Sequence, residues 1–75
     1  MKIDQLMNVT GCNTIKELNY KFNFQLRASK FDGVIMEEYG VFESIESLVF
    51  RIEGLVKEGI KLKDVKVRIL EKRNN

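Results

Sequence analysis

The residue types that carry catalytic chemistry are sparse in this chain. It has 75 residues, no histidine and a single cysteine, Cys12. Histidine is the usual base that activates a serine or cysteine nucleophile, so the common nucleophile-base pairs cannot form. Cys12 would be an activated thiol if a helix began directly after it. A small residue in an N-terminal turn is the more ordinary interpretation, so we expect no nucleophilic catalysis.

The carboxylates offer little more for catalysis or metal binding. Glu37 and Glu38 are adjacent, and neighbours on a strand point to opposite faces. Glu43 and Glu46 flank a predicted helix start, where acidic residues are ordinary. The five glycines are too scattered for a phosphate-binding loop. We therefore expect no enzyme, no metal site and no cofactor.

Cationic side chains are concentrated near the end of the chain. The net charge is +2, but residues 59–75 hold six bases and two acids, and residues 37–58 hold two bases and six acids. Lys66, Arg68 and Lys72 share one strand parity, so they would form a basic stripe that could follow a phosphate backbone. Protection of a sheet edge from aggregation is the more ordinary role for such bases. The candidates for an anionic partner are Lys61, Lys63, Lys66, Arg68, Lys72 and Arg73.

A second candidate surface lies on the outer side of a predicted helix. At about 100° per residue, Gly54 lies opposite Ile45, and Ser47 and Phe50 lie near Gly54. A phenylalanine beside glycine and serine would form a shallow apolar spot with acids around it. A mid-helix glycine costs about 1 kcal/mol relative to alanine, so a close-packed partner would explain Gly54. Singly exposed apolar residues are also normal, and both interpretations stay open.

Two strands joined by a tight turn are predicted before this helix. Residues 18–28 alternate between apolar and polar side chains, which is typical of a half-buried strand. Asp32-Gly33 favours a type I′ turn, and the second strand follows it. With a two-residue loop, opposed residue numbers sum to 65, so Arg27 faces Glu38. This register places six residues under the helix: Phe22, Phe24, Leu26, Ile35, Tyr39 and Val41.

The helix itself is predicted over Ser44 to Glu58. Ser44 is a good N-cap, and Gly59 suits the residue after the last turn, where Ile60 can contact the helix. Apolar residues at helical spacing form a wide stripe. Its members are Ile45, Leu48, Val49, Ile52, Leu55 and Val56. Residues 65–70 alternate again and predict a third strand.

The first seventeen residues allow two interpretations. Ile3, Leu6 and Met7 fit one or two helical turns that end near Thr10-Gly11, and residues 14–17 have capping-box spacing. A short strand is the alternative. The final two residues, Asn74-Asn75, are expected to fray.

Together these elements predict one small α+β domain over residues 1–75. We expect a two-layer β-β-α-β arrangement, with a mainly antiparallel three-stranded sheet and one helix packed on one face. The first strand should be central, with the third strand beside it.

Composition narrows the function to binding. No apolar run approaches the ~20 residues of a membrane helix, so we expect no membrane partner. A lone thiol suits a reducing, cytoplasmic compartment, and the composition suggests an AT-rich bacterial or phage genome. The sequence predicts a non-catalytic protein-interaction module, such as a small adaptor, regulator or inhibitor. Its partner would be another protein or a second copy, bound through the Phe50 and Gly54 face or through a strand edge. Nucleic-acid binding by the basic stripe is the alternative.

Overall fold

The computed structural model describes residues 3–30 and 35–72, which form a small α+β fold. The sheet has the strand order β2-β1-β3, and both strand pairs are antiparallel. The predicted fold class and the central position of the first strand are therefore confirmed. The predicted turn at Asp32-Gly33 lies outside the described residues. The elements are α1 (Ile3–Thr10), α2 (Ile15–Lys21), β1 (Phe22–Lys30), β2 (Ile35–Phe42), α3 (Ile45–Lys57), a 3₁₀ turn (Leu62–Asp64) and β3 (Val65–Glu71).

One face of the sheet is buried beneath the helices. On β1, Phe24, Leu26 and Ala28 are fully buried, and they alternate with more exposed polar residues. The helices supply the other side of this core, which also includes Val65 of β3. The helical and loop members are Leu6, Cys12, Leu18, Ile45, Leu48, Ile52 and Leu55. Because all of these pack together, the opposite face of the sheet is left open among the described residues.

The ends of α3 agree with the sequence prediction. The side chain of Ser44 accepts a hydrogen bond from the N–H of Ser47 at 3.2 Å, which is N-cap geometry. At the other end, Gly59 has φ +105° and its N–H donates to the carbonyl of Val56. The N–H of Ile60 donates to the carbonyl of Leu55, which completes a Schellman motif. No helix within residues 3–30 and 35–72 is long and apolar enough to cross a membrane.

The region before β1 is helical, so the predicted strand from Leu18 begins too early. β1 starts at Phe22, and residues 15–21 form α2. Thr14 accepts a hydrogen bond from the N–H of Glu17 at 3.1 Å, and this cap starts the helix. Tyr20 is 68% exposed, although the alternation pattern would place it on the buried face. The helical alternative for the N-terminal residues is confirmed by α1, and the strand alternative is wrong.

The hairpin register agrees with the prediction from Arg27 to Lys30 and differs from it before Arg27. Arg27 pairs with Glu38 as predicted, but Leu26 pairs with Gly40, so Tyr39 is an extra residue in β2. This is a β-bulge, and Gly40 has φ +113° there.

The bulge changes which β2 side chains reach the core. Beyond it, Phe42 pairs with Phe24 on the helix side, and Val41 pairs with Gln25 on the open side. The predicted core position of Val41 is therefore wrong, because one extra residue moves the rest of a strand to the other face. Ile35 has the predicted parity but is exposed at the far end of the sheet. Tyr39 packs against the core, with the Arg51 guanidinium 5.6 Å from its ring centre.

Candidate functional site

The outer side of α3 carries a large exposed aromatic residue. Phe50 is 79% exposed, and at about 100° per residue it lies opposite the middle of the buried α3 stripe. Ser47 lies one turn earlier and Gly54 one turn later. We call these three residues, together with Glu46 and Glu53, the Phe50 face. The structure thus places the three predicted protein-contact candidates side by side on one helix.

Two acidic side chains lie beside Phe50 on α3. Glu46 precedes it by four residues and Glu53 follows it by three, so both are its neighbours on the helix surface, and both are exposed. Glu43 and Glu58 lie at the two ends of the helix, and Lys57 is a base within its last turn. A partner of this face would therefore need an apolar socket with basic groups around it.

Gly54 has no structural requirement inside the described chain. A Cβ built on it would meet the Arg51 guanidinium nitrogen at 3.8 Å, which is ordinary van der Waals contact. Its backbone is helical, and a glycine there costs about 1 kcal/mol relative to alanine. The predicted close-packed neighbour of Gly54 is thus not found among the described residues.

An open groove joins the Phe50 face on its N-terminal side. It has a volume of about 950 Å³ and lies between α2 and the start of α3. Tyr20 and Ser47 line it, so its wall is continuous with the Phe50 face. The hydroxyl of Ser47 lies 2.9 Å from that of Ser44, so this polar group is already paired.

The floor of the groove is a polar junction centred on Asn19. Its Oδ1 accepts from the N–H of Ile45 at 2.8 Å, and its Nδ2 donates to both carboxylate oxygens of Glu46 at 3.1 Å. The Lys72 ammonium donates to the carbonyls of Asn19 and Glu43. The junction therefore holds the end of α2, the start of α3 and the end of β3 together.

We expect Asn19→Ala to lower the free energy of unfolding by about 1–2 kcal/mol. The half-buried N–H of Ile45 would lose its acceptor, and an unpaired donor there costs about that much. Urea unfolding followed by circular dichroism measures the change. Asn8→Ala, at an exposed position of α1, is the control and should change stability by no more than about 0.5 kcal/mol. Equal stability of the two variants would contradict this role of the junction.

A second polar feature stabilises α2. The pKa of the Glu17 carboxyl is lowered from its ordinary value of 4.5, first because the N–H of Asn13 donates to it and second because the Lys21 ammonium does. The same ion pair, at 3.1 Å, raises the pKa of Lys21 above 10.5. Lys21 therefore belongs to a helix-stabilising pair at the end of α2.

Among residues 3–30 and 35–72, three exposed cations lie on the open face of the sheet. Arg27 lies between Glu38 of β2 and Lys66 of β3, and Arg68 follows two residues after Lys66 on the same face. We call Arg27, Lys66 and Arg68 the basic sheet face. Val41 shares it, and Leu70 lies at its end.

The remaining predicted cations are not part of this face. Lys72 follows β3, and its ammonium is bound to the two carbonyls of the polar junction, so it does not extend the stripe. Lys61 precedes the 3₁₀ turn and Lys63 lies within it; both are exposed. Arg73 lies outside the described residues. The structure thus brings together two of the six candidates, Lys66 and Arg68, and adds Arg27.

The sparse catalytic groups stay dispersed. Cys12 is a buried free thiol in the loop between α1 and α2. The Glu37 carboxylate accepts from the Tyr39 hydroxyl at 3.1 Å, whereas Glu38 is on the opposite face. Across residues 3–30 and 35–72, no group of three or more acidic, cysteine or histidine residues is placed to hold a metal ion.

Comparison with known proteins leaves the site to be interpreted from its own geometry. No protein-family model matches this chain, and no similar protein was found among curated proteins or solved structures.

Proposed function

We propose that this chain is a non-catalytic protein-interaction module that binds its partner through the Phe50 face. The observation that carries the proposal is the 79% exposure of Phe50 on the side of α3 opposite the core. Aromatic residues, phenylalanine among them, are enriched at protein interfaces relative to the rest of the surface. An adaptor, a regulator or an inhibitor would use such a surface.

The surroundings of Phe50 support an interface more than an isolated exposed residue. The groove beside it adds Tyr20, a second exposed aromatic side chain, to the same side of the molecule. Gly54, which the fold does not require, leaves room for a partner to approach the helix backbone closely. The acids around Phe50 would form a charged rim, which favours a partner with basic groups at matching positions.

Affinity capture with three forms of the chain tests the proposal. The parent, Phe50→Ala and Val9→Ala are immobilised and exposed to an extract of the native cell, and bound proteins are quantified by mass spectrometry. Val9 is 78% exposed on α1, so Val9→Ala truncates an apolar side chain about as exposed as Phe50 on a different surface. We expect a partner that binds the parent and Val9→Ala alike and binds Phe50→Ala at least about tenfold more weakly.

The two variants also define the contrary result. A partner captured equally by all three forms would show that the Phe50 face is not the binding surface. A partner lost from Val9→Ala but retained by Phe50→Ala would move the interface to α1.

Nucleic-acid binding by the basic sheet face is the second candidate. The observation that favours it is the cluster of Arg27, Lys66 and Arg68 on an open sheet surface. None of the described residues on that face is aromatic, whereas sheets that bind single strands usually stack bases on aromatic rings. A mobility shift at low salt that is lost in Arg68→Gln would support this function, and no shift with any DNA or RNA probe would end it.

A cytoplasmic location is part of the same proposal. Cys12, the single cysteine of the chain, is a buried free thiol, which suits a reducing compartment. Fractionation of the native cell checks the location.

A further inference from the structure

The Phe50 face and the basic sheet face lie on opposite sides of the molecule. α3 packs its buried stripe against the helix side of the sheet, so its outer side points away from the sheet. Arg27, Lys66 and Arg68 lie on the other side of the same sheet. The two faces cannot meet within one chain, but they can meet when copies stack in the same orientation.

The charges of the two faces are complementary. Glu46 and Glu53 flank Phe50 on one face, and Lys57 lies two turns beyond Phe50 on the same side of the helix. Arg27, Lys66 and Arg68 dominate the other, where Glu38 is the neighbouring acid.

Two Phe50 faces brought together would instead oppose acid to acid. A symmetric dimer with antiparallel α3 helices that meet at Phe50 would place Glu46 and Glu53 of one copy near the same acids of the other, and like charges at an interface cost binding energy. The arrangement therefore favours contact between unlike faces.

The basic sheet face also has a local reason to bind carboxylates. Arg27 and Lys66 are direct cross-strand neighbours, with Cβ atoms about 5 Å apart, and like charges in that position are destabilising. Glu38 offsets part of this repulsion from the β2 side. An acidic partner surface would offset the rest, and Val41 and Leu70 provide apolar contact for an inserted aromatic ring.

We propose that the occupant of the Phe50 face is the basic sheet face of a second copy of this chain. This inference rests on the proposed function, because it names the partner of the same surface. The contact joins unlike faces, so every copy keeps one free face of each kind. Such a contact gives open-ended assemblies unless the ring closes, and does not stop at a symmetric dimer.

Two complementary variants test the contact directly. The helix variant, Phe50→Ala with Glu53→Ala, loses the Phe50 face and keeps the basic sheet face. The sheet variant, Lys66→Thr with Arg68→Thr, loses the basic sheet face and keeps the Phe50 face. All four substituted positions are exposed. Alanine is a good helix former and threonine suits a strand, so the new residues fit α3 and β3. Sedimentation velocity up to about 1 mM protein measures the assembly state.

The expected results differ in kind among the samples. The parent should associate beyond a dimer, and the association should weaken as salt rises from about 50 to 500 mM. Each variant alone should be monomeric, with a mass close to the 8.8 kDa of one parent chain. An equal mixture should form a 1:1 complex near twice that mass, because one intact face of each kind remains. Formation of the complex also shows that both variants are folded.

Arg68→Gln alone is a milder change. This single variant should associate more weakly than the parent but should not be wholly monomeric.

Several results would overturn the inference. A parent that stays monomeric, a mixture that does not form a complex, or a dimer unaffected by the sheet variant would each do so. Nucleic-acid binding that is lost in the sheet variant, without self-association of the parent, would assign the basic sheet face to nucleic acid instead. If the parent is monomeric but Phe50→Ala still loses a captured foreign protein, the proposed function stands and this inference fails.

Discussion

Phe24→Ala is expected to lower the free energy of unfolding by about 3–5 kcal/mol. Phe24 is 0% exposed in the first half of β1, the strand between β2 and β3, and is among the largest fully buried side chains. Truncation removes its apolar area from the core and leaves a cavity that the neighbouring side chains can fill only in part. A domain of 75 residues has a total stability of about 4–11 kcal/mol, so a loss of this size is a large fraction of the total and should lower the urea midpoint strongly.

The same substitution at Phe50 is the matched control. Phe50→Ala removes the same atoms from a side chain that is 79% exposed, and alanine is the better helix former. At a protein concentration low enough for the parent to be monomeric, we expect its stability to stay within about 0.5 kcal/mol of the parent. Urea unfolding monitored by circular dichroism, with both variants in one buffer, gives the two midpoints. Equal losses at both positions would mean that Phe50 is also buried, for example in a stable assembly.

The elements with a long periodic pattern could be predicted because buried positions recur with the period of the helix or strand. The stripe of α3 predicts which side packs on the sheet, and Ser44 and Gly59 mark its two ends through backbone groups that need capping. The exposure of Phe50 follows from the same geometry. This surface of the candidate site could thus be recognised before any tertiary contact was known.

The start of the sheet could not be placed by pattern alone. Leu18 is buried, and one buried residue fits a short helix and a strand equally well. The local hydrogen bond from the N–H of Glu17 to Thr14 decides for the helix, which leaves Tyr20 exposed beside the groove. The capping-box spacing was the signal that could have moved the boundary.

The polar junction depends on contacts that no local pattern encodes. Asn19 binds Ile45, 26 residues away, and Lys72 binds the carbonyl of Asn19, 53 residues away. Strand parity predicted Lys72 on the open face, but it follows the last residue of β3, where its long side chain reaches the carbonyl of Asn19 in the last turn of α2 and that of Glu43 just before α3. Its ammonium is stabilised there by the negative end of α2. Strand parity therefore predicted the positions of Lys66 and Arg68 on the open face, and its placement of Lys72 there was wrong.

The bulge in β2 makes the fold sensitive to substitution of Gly40. Gly40→Ala is expected to lower the free energy of unfolding by about 1–3 kcal/mol. Gly40 has φ +113°, a region that residues with a Cβ rarely adopt, and it pairs with the buried Leu26. The added Cβ would meet the Phe42 ring at 3.8 Å, which is ordinary contact, so the cost comes from the backbone conformation.

The backbone can relieve this strain only by giving up the bulge. Without the extra residue at Tyr39, the register of the predicted hairpin would continue, and Val41 would replace Phe42 opposite Phe24. Amide hydrogen exchange should then be fastest in residues 38–42, with a smaller change in β3.

Gly54→Ala is the matched control for this change and should have the opposite sign. Gly54 lies in the middle of α3 with ordinary helical backbone, and an added Cβ has space there. We expect a gain of about 1 kcal/mol from helix propensity. If both alanines destabilise, glycine at position 54 has a packing role within the fold. If neither does, the backbone at Gly40 is not strained.

If Gly54→Ala stabilises the monomer but weakens capture of the partner, the backbone at Gly54 lies against that partner. The absence of a Cβ would then be explained by binding, because folding alone would favour alanine there.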